Sequence, residues 1–125
     1  MDERVLEEAR SFLERMRGVY GLYLQVGEES LILGEEEYRG RMEEFAELAS
    51  EVFRFVEEAY AVGEVKRRVR MVLAEGDRGD VAYRRVGDAC LFVVFYHDVP
   101  MGTALYEINR FAERLEAAAC GGSRK

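Results

Sequence analysis

From Ala89 to Tyr96 the chain reads Ala-Cys-Leu-Phe-Val-Val-Phe-Tyr, an uncharged run rich in β-branched and aromatic residues. A strand with one solvated face alternates apolar and polar residues, whereas a strand covered on both faces reads as a continuous apolar run. The run is short for a buried helix, and Gly87-Asp88 and Pro100 bound it. Leu91, Phe92, Val93, Val94 and Phe95 are therefore expected to form a central strand with helices on both sides. Burying each such side chain contributes about 1.5–3 kcal/mol, against about 0–1 kcal/mol for a surface ion pair. The core decides the fold, and the abundant surface charge does not.

The other elements arrange themselves around that strand. Asp2 has the chemistry of an N-cap, and Val5, Leu6, Ala9, Phe12, Leu13 and Met16 recur at helical spacing before Gly18. Val19–Val26 and Ser30–Leu33 read as a hairpin joined by Gly27-Glu28-Glu29. A long helix is expected from about Tyr38 to Ala61, with Met42, Phe45, Ala46, Ala49, Val52, Phe53, Val56 and Tyr60 as its core stripe. Leu48, Phe55 and Ala59 fall to one side, making the apolar surface wider than one sheet face requires. After Gly63, Val65–Ala74 alternates basic and apolar residues, as an edge strand does, and Asp80–Val86 is the next strand. Gly87-Asp88 puts glycine first, the chemistry of a type II′ hairpin. Asp98 is the expected N-cap of a last helix lined by Leu105, Ile108, Ala112 and Leu115, which Gly121-Gly122 should stop.

The order α-β-β-α-β-β-β-α gives an α+β fold, an αβα sandwich. Its two most continuous apolar strands, 19–26 and 89–96, belong together in the middle of a five-stranded antiparallel sheet of order 2-1-5-4-3. One long helix then crosses one face and two helices cover the other. One domain over residues 1–120 and a disordered tail over 121–125 are expected. At 125 residues the chain is long enough for a core without staples. No apolar run approaches the roughly 20 residues that span a bilayer, so no membrane insertion is expected. An acidic start without an apolar segment and two cysteines point to the cytoplasm.

No catalytic constellation can be assembled from these residues. His97 beside Asp98 offers an acid–base pair, but a helix-entry residue is the preferred reading. Gly18-Val-Tyr-Gly21 lacks the spacing and the lysine of a phosphate loop, and Glu35-Glu36-Glu37 lacks the spaced ligands of a cation site. No catalytic residue, cofactor or metal is therefore expected. Lys66-Arg67-Arg68 with Arg70 is the one dense basic stretch, and a net charge of −7 argues against nucleic acid. Cys90 and Cys120 are expected to be free thiols near one end of the fold.

The element order, Gly18-Val-Tyr-Gly-Leu-Tyr23, and Gly87-Asp-Ala-Cys-Leu-Phe-Val-Val-Phe95 before Met101-Gly-Thr-Ala-Leu-Tyr-Glu-Ile108 resemble the roadblock/LC7 domain family over nearly the whole chain. The turn Gly27-Glu-Glu-Ser30 departs from the Asp-rich turn of many members. The resemblance implies a profilin-like sandwich that dimerises, lacks catalytic residues, and serves as a platform or regulator for Ras-like small GTPases or as a dynein-associated light chain. A ligand-sensing or enzymatic domain on the same profilin-like fold is the alternative. A ten-residue edge strand with Met71-Val72-Leu73 bare of charge is an aggregation hazard unless paired. The expected homodimer joins this edge and the long helix to a second copy, through Leu48, Glu51, Val52, Phe55, Ala59, Val65, Arg67, Val69 and Met71.

Overall fold

The computed structural model describes residues 1–60, 69–77, 79–96 and 98–123, with backbone alone at Tyr38 and at 119–123. Strands β1 (Val19–Val26), β2 (Glu29–Gly34), β3 (Met71–Glu75), β4 (Asp80–Val86) and β5 (Ala89–Phe95) form one antiparallel sheet. Their order is β2-β1-β5-β4-β3, as the apolar patterning implies. Helices α1 (Glu3–Arg15) and α4 (Met101–Ser123) cover one face. Helix α3 (Met42–Tyr60) covers the other, preceded by the single turn α2 (Glu36–Arg39).

The central strand is buried on both sides. Leu91, Val93 and Phe95 enter one cluster with Leu22 and Leu24 of β1 and with Phe12, Ile108 and Phe111 of the paired helices. The rings of Phe12 and Phe111 stack at 4.7 Å, closing α1 onto α4. Phe92 and Val94 point the other way, into a smaller cluster with Met42, Ala46, Phe53 and Tyr83. Asp2 caps α1 by accepting from the Arg4 N–H at 3.0 Å.

Two glycines position the long helix. A Cβ on Gly21 would sit 2.9 Å from the Met42 sulfur, so the absent side chain lets the start of α3 settle on β1. Gly34 has φ +135, and a Cβ there would run into the Tyr20 carbonyl oxygen; only glycine ends β2 in this way. At the β4–β5 turn Gly87 has φ +56, and among the described residues, Asp88 included, no non-glycine residue has a positive φ, in keeping with a glycine-first type II′ turn.

Several boundaries differ from expectation. The long helix is interrupted at Gly40-Arg41, where glycine costs a helix interior about 1 kcal/mol relative to alanine. Val52 and Tyr60 are exposed rather than in the core stripe, because the sheet beneath α3 already buries Met42, Ala46 and Phe53. The first turn is shorter, with Glu29 paired opposite Val26. The edge strand begins at Met71. Val69 and Arg70 precede it, although the Arg70 carbonyl still accepts from the Arg85 N–H at 3.0 Å. The earlier part of the expected strand and Gly63 lie outside the described residues, as does His97. Helix α4 starts at Met101, so Pro100 rather than Asp98 stands just before it, its carbonyl accepting from the Ala104 N–H at 3.0 Å. Helix α4 runs through Gly121-Gly122 to Ser123; two glycines weaken a helix without forbidding it.

Candidate functional site

Among the described residues, four of the six large hydrophobics that are exposed lie on α3. Leu48 is 61% exposed, Val52 54%, Phe55 72% and Tyr60 55%, and Ala59 is exposed beside them. Leu48, Val52, Phe55 and Ala59 follow the three- and four-residue steps of one helix face, so they form a single stripe. Scattered surface hydrophobics are ordinary, whereas a contiguous apolar stripe marks an interaction surface.

What holds that stripe outward is the packing on the opposite side of the helix. The Phe53 ring lies 4.8 Å from the Tyr83 ring, and the Arg85 guanidinium sits 4.7 Å over Phe53. Arg85 also grips Glu57 with two nitrogens, at 3.1 and 3.0 Å. These contacts fix the roll of α3 on β4 and leave Val52 and Phe55 no place in the core.

Strand β3 lies at the end of the sheet, and among the described residues no strand pairs with its outer edge. Met71 and Val72 are half-buried, and Leu73 is exposed beside them. Of the residues expected at a dimer contact, Leu48, Val52, Phe55 and Ala59 share the stripe, while Val69 and Met71 are half-buried near the edge. Glu51 is exposed and borders the other flank of the helix; Val65 and Arg67 lie outside the described residues.

That other flank contains a feature that sequence reasoning missed. A cleft of about 370 Å³ opens between α3 and the sheet, lined by Tyr23, Tyr83 and Phe92 below and by Ala46 and Ser50 above. Tyr23, Phe92 and Tyr83 are register partners across β1, β5 and β4, so three rings stand side by side on one face. Burial, followed by a hydrogen bond with the Cys90 thiol, pushes the Tyr83 hydroxyl up to about 12. Burial also raises Tyr23, with the negative charge of Glu43 adding to it. Cys90 is a free, half-buried thiol; the side chain of Cys120 lies outside the described residues. Among the described residues no group of three potential ligands could hold a metal, and no helix is long and apolar enough to cross a membrane.

This combination of sheet order, paired helices on one face and a single long helix on the other is the roadblock/LC7 fold. A roadblock/LC7 domain from Streptomyces avermitilis superposes with a TM-score of 0.71 at 16% identity, over 89% of this chain and 93% of that one. MglB of Myxococcus xanthus gives 0.76 at 13% identity, over 94% and 96%. An MglB structure described as a tetrameric arrangement gives 0.76 at 18%, over 92% and 87%. In sequence the chain matches no protein-family model and no curated protein.

Proposed function

We propose that this chain is a non-catalytic, homodimeric module of the cytoplasm that binds a Ras-like small GTPase and scaffolds or regulates it. The observation that carries the reading is the exposed stripe Leu48, Val52, Phe55 and Ala59 on α3, in a sheet that ends at β3. Two copies related by a two-fold axis would pair their β3 edges antiparallel and bring their α3 stripes together. The apolar face would leave water, and an unpaired edge would become the middle of a ten-stranded sheet, twice the five strands of one copy. Self-association of a neighbour, the MglB tetrameric arrangement, supports an oligomeric reading.

The GTPase is proposed from the resemblance to roadblock/LC7 domains, whose fold this chain has. The experiment is affinity capture from the native lysate with the wild-type chain, in GDP and in a non-hydrolysable GTP analogue. Recovery of a Ras-like GTPase that depends on the nucleotide is the expected result. Its absence under both conditions, with the dimer intact, would remove the GTPase from the reading and leave only the module.

A further inference from the structure

The two faces of the sheet hold their helices differently. Helices α1 and α4 share one cluster with the sheet, in which Phe12, Met16, Ile108, Phe111 and Leu115 are all buried. They also hold each other. Arg15 meets Glu107 at 3.1 Å and Arg114 meets Glu8 at 3.6 Å, beside the stacked rings of Phe12 and Phe111. Helix α3 is 19 residues long, yet it buries only Met42, Ala46 and Phe53, and the sheet separates it from α1 and α4.

The seat of α3 consists of two anchors with a weak middle. At its start the Met42 side chain lies in the notch that Gly21 leaves on β1. Towards its end Phe53 lies against Tyr83 and under the Arg85 guanidinium, which also grips Glu57. Between the anchors the helix rests on Ala46 and Ala49, side chains too short to fill the cleft beside them. The helix also gives itself little support. Glu43, Glu47 and Glu51 follow at four-residue steps, where like charges destabilise a helix, and no basic residue in the last turn meets the dipole. Just before it, Gly40 interrupts the chain at a point where a Cβ would meet nothing.

We propose that α3 is a separately opening unit, which lifts from the sheet as one body about Gly40-Arg41 while the sheet, α1 and α4 stay folded. Opening gives up Met42, Phe53 and the Arg85 contacts and nothing of the larger cluster. Global unfolding gives up both. The stripe of Leu48, Val52, Phe55 and Ala59 moves with the helix, so anything that binds there only while α3 is seated makes the opening rarer. The proposal does not rest on dimerisation or on the GTPase, and it is tested in the purified Phe55→Glu chain, from which the proposed self-association is removed.

The test is native-state hydrogen exchange of that ¹⁵N-labelled chain along a series of sub-denaturing urea concentrations. The amides of residues 46–58 are compared with those of Ile108, Phe111, Ala112 and Leu115. The α3 amides should exchange at least about tenfold faster, through one shared opening. Its urea dependence should be shallower than that of α4, because less surface is exposed. Two substitutions separate the openings. Ile108→Val thins the larger cluster, which stays closed when α3 lifts. It should speed α4 exchange by about two- to tenfold and leave α3 exchange within about twofold of its original rate. Arg85→Leu removes one anchor and should speed α3 exchange by about 3- to 30-fold. If a variant does not fold, the urea series decides. Equal protection with equal urea dependence in α3 and α4 would overturn the proposal. So would α3 exchange that rises in step with α4 in Ile108→Val, or that Arg85→Leu leaves unmoved.

Discussion

Replacing Phe55→Glu tests the proposed dimer most directly. Phe55 is 72% exposed, so in a single copy its ring contributes little and its replacement should leave the fold intact, within about 0.5 kcal/mol. In a two-fold interface the same ring is buried twice. Full burial of a phenylalanine is worth about 1.5–3 kcal/mol, so covering its exposed part contributes about 1–2 kcal/mol per copy and about 2–4 kcal/mol per dimer. Truncation alone would then weaken the dimer by about 30- to 1000-fold, at 1.4 kcal/mol per factor of ten. A buried carboxylate on each side adds to that loss. Sedimentation velocity across a micromolar concentration series measures the shift, and circular dichroism verifies the fold. Tyr106→Glu is the control, a 63% exposed aromatic on α4 away from the stripe. A wild-type chain that sediments as a monomer at micromolar concentration would refute the reasoning. So would a Phe55→Glu variant with the wild-type dissociation constant.

Gly34→Ala should destabilise the chain by about 1–3 kcal/mol in urea unfolding, since the residue combines a positive φ with contact against the Tyr20 carbonyl. Gly40→Ala, where a Cβ meets nothing and φ is not positive, should instead stabilise it by about 0.4–1 kcal/mol. Asp80 is buried and accepts from the Gly76 N–H at 3.1 Å, holding the β3–β4 turn, so Asp80→Ala should cost about 1–3 kcal/mol by thermal melting. Tyr83 has an alkaline signature. Its unfolded form loses a proton near 10 while the folded form holds it to about 12, so stability is full below pH 10 and falls as the pH rises towards 12. Tyr83→Phe should flatten that part of the pH–stability profile.

The sheet was legible because its central strand announces itself. A charge-free run from Ala89 to Tyr96 has to be covered twice, and the run at Val19–Val26 is its natural neighbour; the observed order follows from those two choices. The stripe on α3 was half legible. Leu48, Phe55 and Ala59 stood outside a core face by periodicity alone, but Val52 sits at the seam between the two faces. Its exposure is settled by the grip of Arg85 on Glu57 and Phe53, a contact between residues 28 apart in sequence. The break at Gly40 was obscured by good helix formers on either side. The cleft was not legible at all, because it depends on cross-strand register. Tyr23, Tyr83 and Phe92 are ordinary strand residues until β1, β5 and β4 place them in one row.

Helix α3 serves three purposes with three of its sides, and the residue types assigned to each keep the purposes separate. The side towards the sheet carries Met42, Ala46 and Phe53, of which only the phenylalanine is bulky and rigid; it anchors the helix over β4 through Tyr83 and Arg85. One flank carries large apolar groups that the sheet cannot cover, and the other carries Glu47, Ser50, Glu51 and Arg54 around a gap. Filling the gap with a larger residue at position 50 would strengthen contact with the sheet by ordinary packing rules, since a void forfeits dispersion contacts on one side. A small, polar residue there, hydrogen-bonded to a buried tyrosine, keeps the space open while satisfying the hydroxyl. Ser50 is itself exposed, so a small polar residue is what this solvent-facing flank of the helix calls for.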